Sequence, residues 1–241
     1  MENTRMDKPG QTGEFIRGIK TALPVMLGFI PFGLVLGAQA TQKGFSVLEV
    51  PLMTGINFGG GSEFAAVELW TSPPHIFVIV LITFLINSRH LLMGAVLSPY
   101  LGHLPRKKVL AALFFMCDES WALGLNDTVS RKPDGNIRGF SLPFYMGAAL
   151  TLYITWVVFT TIGGIIGPVI GDVRNWGVDM AFPAVFFVLL RGMWRGFAAA
   201  RPWLVSLIVA IAVYLTVPGA WYVPAGAAAG LLFAFFTAGR T

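Results

Sequence analysis

Long stretches without a charged residue constrain this chain more than any other feature of its sequence. Residues 139–171 and 202–239 contain 33 and 38 consecutive uncharged residues, and residues 21–42 and 69–88 contain 22 and 20. A helix needs about 20 mostly apolar residues to cross a bilayer. Only 12% of the 241 residues are charged, about half the share that is usual in soluble domains. We therefore predict an all-α integral membrane protein, a polytopic helical bundle of about 7–8 membrane segments.

Charge and cysteine content exclude several function classes. The net charge of +5 is spread over short polar segments at the ends of apolar stretches, which is typical of charge that sets membrane topology. We therefore expect a lipid bilayer around the chain and no nucleic-acid partner. The single cysteine, Cys117, forms no metal-binding pair, and motifs for ATP, nicotinamide or zinc are absent, so we expect no cofactor and no metal.

The layout predicts a single transporter domain in three parts: a polar tail at 1–16, a first membrane repeat with a linker helix at 17–130, and a second at 131–241. Both repeats open on similar helix starts, Gly18 to Pro24 and Gly139 to Pro143. An internal, inverted repeat of the kind that secondary transporters use is one interpretation. The other is the self-similarity of any glycine-rich membrane protein. The predicted helices of the two parts span 17–40, 74–100 and 109–128, then 139–170, 180–190, 202–217 and 221–238.

Membrane orientation is only partly readable. Basic residues before the first helix favour a cytoplasmic amino terminus by the positive-inside rule. However, basic segments flank the predicted helix 109–128 on both sides, at 106–108 and 131–138. If that helix crosses the membrane, one of these segments lies outside, so the topology stays open.

A glycine triplet interrupts the apolar segment 45–70, where residues 57–63 read Asn-Phe-Gly-Gly-Gly-Ser-Glu. Three successive glycines do not hold a helix in hydrocarbon, so we predict a discontinuous or re-entrant element. The start of its second half-helix exposes N–H groups and the positive end of a helix dipole, which suits a substrate carboxylate. The alternative is an ordinary helix start capped by Ser62. The candidate substrate-binding residues are Asn57, Gly59, Gly60, Gly61, Ser62 and Glu63.

A polar quartet, Asn87-Ser88-Arg89-His90, interrupts the next apolar run. An arginine near the bilayer centre costs roughly 2.5–3.5 kcal/mol, so such groups usually face a cavity or a partner. On a helix, Asn87 and His90 share a face, whereas Arg89 points about 100° away from His90. We predict that Asn87 and His90 face a substrate cavity and that Arg89 pairs with a carboxylate on another helix. Alternatively, Arg89 snorkels from a helix end.

Asp118 and Glu119 form an adjacent acidic pair inside an apolar segment. Either residue could pair with Arg89, as could Glu63. His90, Asp118 or Glu119 could carry a coupled proton, since titratable groups within membrane segments often form proton relays. The alternative is that the acidic pair lies at a solvated helix end.

Four sequence blocks resemble the AzlC family, the large subunits of branched-chain amino-acid exporters. They run from Leu23-Pro24 to Phe32-Gly33, over 59–64, over 87–94, and over 118–120. The resemblance implies export of valine, leucine, isoleucine and methionine-like substrates driven by the proton-motive force. It also implies a small AzlD-type partner subunit, a multi-pass location in the bacterial cytoplasmic (inner) membrane and no enzymatic activity. Glu63 stands where many members carry an amide, which leaves a cationic or other amino acid open as the substrate.

Two other function classes stay open. Ser62 after a glycine, with His90 on another helix, is the minimal layout of an intramembrane serine hydrolase. An unwound glycine stretch could also line the pore of a channel.

Overall fold

The computed structural model describes residues 10–131, 139–170, 191, 196–218 and 221–237, and these residues contain helices and no strands. This confirms the predicted all-α class. The predicted segments at 171–178 and 180–190 lie outside the described residues. The helices in the described ranges are α1 Gln11–Gln42, α2 Glu49–Asn57, α3 Gly61–Glu68, α4 Ile76–Asn87, α5 Arg89–Leu101, α6 Arg106–Phe114, α7 Asp118–Arg131, α8 Leu142–Ile170, α9 Phe197–Thr216 and α10 Tyr222–Thr237.

Three long apolar stretches in the described residues could cross a membrane: Gln11–Gln42, Ile76–Leu101 and Leu142–Val169. The first begins earlier than predicted, so residues 11–16 are helical and not part of a polar tail. Glu14 explains this difference, because it is buried and accepts hydrogen bonds from Arg17, Arg131 and Ser141. With these partners a carboxylate can lie inside the bundle.

Helices α1 and α8 pack against each other from end to end through glycines. Near their starts, a Cβ at Gly18 would overlap the Phe144 carbonyl, and near their ends one at Gly37 would lie 2.6 Å from the Gly164 nitrogen. Such small residues let two helix backbones approach closely. Because starts contact starts and ends contact ends, the two helices run parallel.

The parallel packing corrects one prediction. The helix starts at Gly18 and Gly139 were matched as the openings of an inverted repeat. Inverted-topology repeats are related by an axis in the membrane plane, which sets corresponding helices antiparallel. An inverted relation between α1 and α8 is therefore wrong. The division of the chain at residue 130 remains a prediction.

Helices α2 and α3 form a hairpin, here called the first hairpin. Its outer ends lie beside the carboxyl end of α1, where Lys43 Nζ donates to the Glu68 carbonyl at 2.8 Å and the rings of Phe45 and Trp70 lie 4.5 Å apart. Its tip, residues 58–60, reaches the middle of α8, where the Phe58 ring lies 5.1 Å from the Tyr153 ring.

Helices α6 and α7 form the second hairpin, which enters from the opposite end. Near the start of α8, the Tyr145 hydroxyl donates to the Ala112 carbonyl of α6 at 3.0 Å, and at the other arm Asp127 pairs with Arg17 of α1 at 2.7 Å. Its tip, residues 115–117, also reaches Tyr153, since the Phe115 ring lies 4.9 Å away. The single predicted helix at 109–128 is therefore wrong: α6 ends at Phe114 and α7 begins at Asp118.

Between the hairpins, α4 and α5 form one apolar stretch that is interrupted only at Ser88, whose backbone keeps right-handed helical dihedrals of φ −56° and ψ −22°. It runs from the end of the first hairpin to the start of the second, and so lies antiparallel to α1. In the described residues, α4–α5 and the second hairpin therefore run in the opposite sense to α1 and the first hairpin.

Candidate functional site

A cavity of about 310 Å³ lies where the two hairpin tips meet the middles of α1, α4–α5 and α8. Most of its wall is apolar, and its polar groups come from the two tips and from the start of α5. The lining residues are Val25, Gly28, Phe29, Phe32, Phe58, Gly59, Gly60, Gly61, Phe64, Ile86, Arg89, Cys117, Asp118, Glu119 and Trp156.

Arg89 joins the tips of both hairpins with one guanidinium. Its Nη1 lies 2.7 Å from Asp118 Oδ2 in α7, and its Nη2 donates to the Gly59 carbonyl at 3.1 Å. The side chains of Arg89 and Asp118 are 40% and 46% exposed, so both also face the cavity. Of the three acids considered from the sequence, Asp118 is therefore the one that pairs with Arg89.

The backbone of the first tip has a shape that glycine permits. Phe58 ends α2 in the left-handed region with φ 45°, and Gly60 follows with φ 53° and ψ −88°, which only glycine adopts readily. A Cβ at Gly59 would overlap Ser62 Oγ and lie 2.7 Å from the Asn57 amide nitrogen. At Gly59 and Gly60 the tip therefore presents peptide groups to the cavity instead of side chains.

Polar side chains behind this tip hold it in place. Glu63 accepts hydrogen bonds from the Trp156 indole at 2.7 Å, from the Gly59 N–H at 3.1 Å and from the Asn57 amide at 3.4 Å. The Asn57 amide also donates to Ser62 Oγ at 2.9 Å. Ser62 and Glu63 are 0% and 1% exposed. Asn57, Ser62 and Glu63, which the sequence suggested as substrate contacts, do not line the cavity.

In the polar quartet, Arg89 pairs with a carboxylate on another helix as predicted, whereas Asn87 and His90 do not face the cavity. Asn87 Nδ2 donates to the side-chain amide oxygen Oδ1 of Asn57 at 3.0 Å, and Asn87 borders a different, apolar recess along α4. His90 Nδ1 lies 3.1 Å from the Asn87 main-chain oxygen. Arg89 lines the main cavity, whereas Asn87 and His90 do not. Arg89 does lie on a different helix face from Asn87 and His90, as predicted, but it is the Arg89 face that meets the cavity.

The acidic pair opens the first turn of α7 instead of lying inside a helix. Both Asp118 and Glu119 line the cavity. The Ser120 hydroxyl accepts a hydrogen bond from the Cys117 N–H at 3.0 Å, as a residue at the third helical position does in a capping box. Ser120 therefore fixes the point at which α7 begins, and with it the direction of both carboxylates.

The hydrolase layout is not present. Ser62 Oγ bonds with Asn57, and the His90 ring bonds with the main chain of Asn87. Among the hydrogen bonds of the described residues, none joins Ser62 to His90. In the same part of the chain, no cluster of histidine, cysteine, aspartate and glutamate could hold a metal ion.

A cluster of charged side chains joins α1, α7 and α8 at the end from which the second hairpin enters. Arg17 pairs with Glu14 at 3.0 Å and with Asp127 at 2.7 Å, and Arg131 pairs with Asp127 at 3.1 Å and also with Glu14. Ser141 at the start of α8 donates to Glu14 at 2.8 Å. These contacts fasten the second hairpin on the side away from its tip.

The apolar wall was not singled out from the sequence. Trp156, Phe29 and Phe32 belong to uniformly apolar stretches, where nothing separates a cavity wall from lipid contact. Of these residues, only Trp156 could have been identified from the sequence as facing the protein interior, because a buried indole N–H usually needs a hydrogen-bond partner.

Comparison with known proteins places this chain among membrane transport proteins. The sequence model of the AzlC protein family matches residues 24–170, the range that contains every residue of the cavity wall. The branched-chain amino acid transport protein AzlC of Bacillus subtilis is 29% identical over 194 residues, which cover 80% of this chain and 73% of that protein. The inner membrane protein YgaZ of Escherichia coli is 28% identical over 186 residues, 76% of this chain and 69% of that protein. An uncharacterized membrane protein of Archaeoglobus fulgidus is 25% identical over 195 residues, 79% of this chain and 81% of that protein. No solved structure matches the chain significantly.

Proposed function

Since the chain belongs to the AzlC family, a family of membrane transport proteins, we propose that it is a secondary transporter that exports branched-chain and similar small apolar amino acids. The observation that carries the proposal is the division of one cavity between a charged wall and an apolar wall. An amino acid has the same division, because its charged groups share one carbon and its side chain points away from them.

The charged wall suits the zwitterionic end of the substrate. Arg89 is a cation that can bind a carboxylate through two parallel hydrogen bonds, and the first turn of α3 at Gly60 and Gly61 adds N–H groups and a positive helix end. Asp118 and Glu119, at the second tip, accept hydrogen bonds from the substrate ammonium group. Both carboxylates line the cavity beside Arg89.

The apolar wall suits an aliphatic side chain. Phe29, Phe32 and Phe64 line it together with Trp156, and the rings of Phe29 and Trp156 pack edge to face at 5.7 Å. The volume of about 310 Å³ is at the lower end of the range of about 300–1,000 Å³ for small-molecule sites. This size favours a single amino acid over a peptide.

The proposal extends to coupling, partner and location. The proton-motive force drives export, with Asp118 or Glu119 as the proton carrier, since both face the cavity and His90 does not. The two hairpins act as re-entrant elements whose tips meet near the bilayer midplane, which is where transporters bind substrates on broken helices. A small AzlD-type subunit assembles with this chain in the cytoplasmic membrane.

Export from whole cells tests the proposal. Cells that lack their own exporters and express this chain with a small AzlD-type subunit are loaded with a leucine-containing dipeptide, and leucine efflux is measured. We expect efflux that a protonophore abolishes, a loss of about 100-fold in Asp118→Asn, and wild-type rates in Glu68→Gln, an acid at the outer end of the first hairpin. Efflux no faster than in vector-only cells, at confirmed membrane expression, would refute the proposal.

A further inference from the structure

Gly28 lies in the centre of the apolar face that α1 turns toward the cavity. Val25, Gly28, Phe29 and Phe32 follow the i, i+3, i+4, i+7 spacing of one helix face, and all four line the cavity. A Cβ added at Gly28 would have no atom within 4 Å. Gly28 is exposed, so a side chain at position 28 would project into open space at the cavity wall.

Two later glycines of α1, Gly33 and Gly37, are needed for helix packing. A Cβ at Gly33 would lie 3.1 Å from Phe159 Cβ and 3.2 Å from the Thr160 nitrogen, and one at Gly37 would lie 2.6 Å from the Gly164 nitrogen. Those residues permit the close packing of α1 on α8. Among the described residues, no packing contact requires glycine at position 28, and glycine weakens a helix interior relative to alanine. Its absence of a side chain calls for another explanation.

We propose that Gly28 sets the upper size limit of the substrate side chain. The inference rests on the proposed function: the α-ammonium and α-carboxylate bind at the tips, and the end of the aliphatic side chain lies against the Gly28 backbone. A methyl group at this position fills roughly 30 Å³, about the volume of one water molecule in the liquid, in a cavity of about 310 Å³. It removes the space that the longest aliphatic side chains need and leaves space for shorter ones.

Gly60 lines the same cavity and also has no atom within 4 Å of a built Cβ, but its φ of 53° strains any other residue. Gly28 has no such strain, because it lies inside α1. Position 28 is therefore a site in this wall at which a side chain can be added while the backbone stays the same.

A competition measured in one cell tests the inference. Cells expressing the full chain with a small AzlD-type subunit are loaded with valyl-leucine, which releases both amino acids in equal amounts, and the leucine-to-valine ratio of efflux is measured. The ratio is independent of expression level. We expect Gly28→Ala to lower it about tenfold, the effect of one methylene in an apolar pocket. Val25→Ala, which enlarges the same wall, is expected to raise it.

Two control variants separate size from stability. Leu27→Ala changes the residue that precedes Gly28 in α1. Leu27 is 66% exposed on the outside of the bundle, so this variant is expected to leave the leucine-to-valine ratio unchanged. Gly33→Ala disturbs the packing on α8, so both export rates fall together at a constant ratio. Purified Gly28→Ala protein is expected to melt at the wild-type temperature or above it.

The outcomes distinguish this inference from the function on which it rests. If wild-type cells export neither amino acid, the proposed function fails. If they export both, and Gly28→Ala lowers both rates at a constant ratio, Gly28 is a flexible point between Pro24 and Pro31 and the size limit is refuted. An unchanged ratio with unchanged rates refutes it as well. A changed ratio in Gly28→Ala and the opposite change in Val25→Ala support it.

Discussion

The two hairpins contribute to one cavity in different ways. The first tip presents the peptide groups of Gly59, Gly60 and Gly61, while the polar side chains of its own sequence are buried behind it. The second tip presents the carboxylates of Asp118 and Glu119.

The difference follows from how each tip is held. In the first tip only Phe58 has a side chain to pack, against Tyr153, so the N–H groups and shape of its glycines depend on hydrogen bonds to the polar residues behind them. The second tip instead rests on apolar packing, in a cluster that includes Met116 and Tyr145, and on the Ser120 cap. Its charged groups are therefore available to the cavity. We call a polar side chain in a membrane segment a framework residue when it is buried away from the cavity and its hydrogen bonds are made inside the protein, as for Glu63.

The largest expected effect is in an experiment that tests whether the two hairpins enter from opposite ends. Thiol labelling from one side of the membrane either reaches a cysteine or does not. We replace Cys117 with alanine and introduce one cysteine, either Thr71→Cys after the first hairpin or His103→Cys before the second; both positions are exposed. A membrane-impermeant thiol reagent applied to intact cells is expected to label Thr71→Cys alone. Both variants are labelled once the cells are permeabilised. Labelling of both in intact cells would place the two hairpins on the same side.

Removal of Arg89 is expected to have the next largest effect, because one side chain joins both tips. Arg89→Ala leaves Asp118 without its cation and Gly59 without its donor. Because hydrogen bonds to a charged group contribute about 1.5–3 kcal/mol, we expect leucine efflux to fall up to about 100-fold. Arg89→Lys keeps the charge without the planar guanidinium and is expected to lose about tenfold. Arg106→Ala, an exposed arginine at the start of α6, is the control; equal losses in Arg106→Ala and Arg89→Ala would contradict the bridging role.

Glu63 and Asp118 test the distinction between framework and cavity residues directly. Glu63→Ala leaves the Trp156 indole and the Gly59 N–H without an acceptor. Because a buried unsatisfied donor costs about 1–3 kcal/mol, we expect the free energy of unfolding to fall by at least about 2 kcal/mol. Asp118→Asn is expected to change that free energy by less than about 1 kcal/mol while it abolishes export. Thermal unfolding in detergent and leucine efflux are measured for both variants, and a stable Glu63→Ala protein that no longer binds leucine would place Glu63 in the substrate site.

Local signals explain what could be predicted from the sequence. Hydropathy identified the long helices, and the glycine triplet identified the first break, where α2 ends at Asn57 and α3 begins at Gly61. Arg89 could be identified because a charged side chain in an apolar segment is costly unless it faces a cavity or a partner. Each of these features depends on a few neighbouring residues.

Tertiary contacts decided the rest. The second break contains Phe115, Met116 and Cys117, with neither glycine nor proline, and it depends on Tyr153 and on the Ser120 cap. Once α6 and α7 are a hairpin, the basic segments at 106–108 and at Arg131 lie at the same end of the bundle. The apparent conflict with the positive-inside rule existed only for a helix that crosses the membrane.

The substitution Ser62→Ala has the smallest expected effect. It tests whether the polar groups that the first hairpin tip presents to the cavity are peptide groups only, in contrast to the second. Its hydroxyl accepts a hydrogen bond from the Asn57 amide at 2.9 Å and is fully buried, so Ser62→Ala removes one of several contacts behind the first tip. A single neutral hydrogen bond contributes about 1 kcal/mol. We therefore expect a small drop in melting temperature and leucine efflux within about twofold of wild type, because the peptide groups that face the cavity stay in place. Ser62→Ala protein with an unchanged melting temperature and greatly reduced export would mean that the hydroxyl contacts the substrate, and the first tip would then resemble the second in presenting side chains to the cavity.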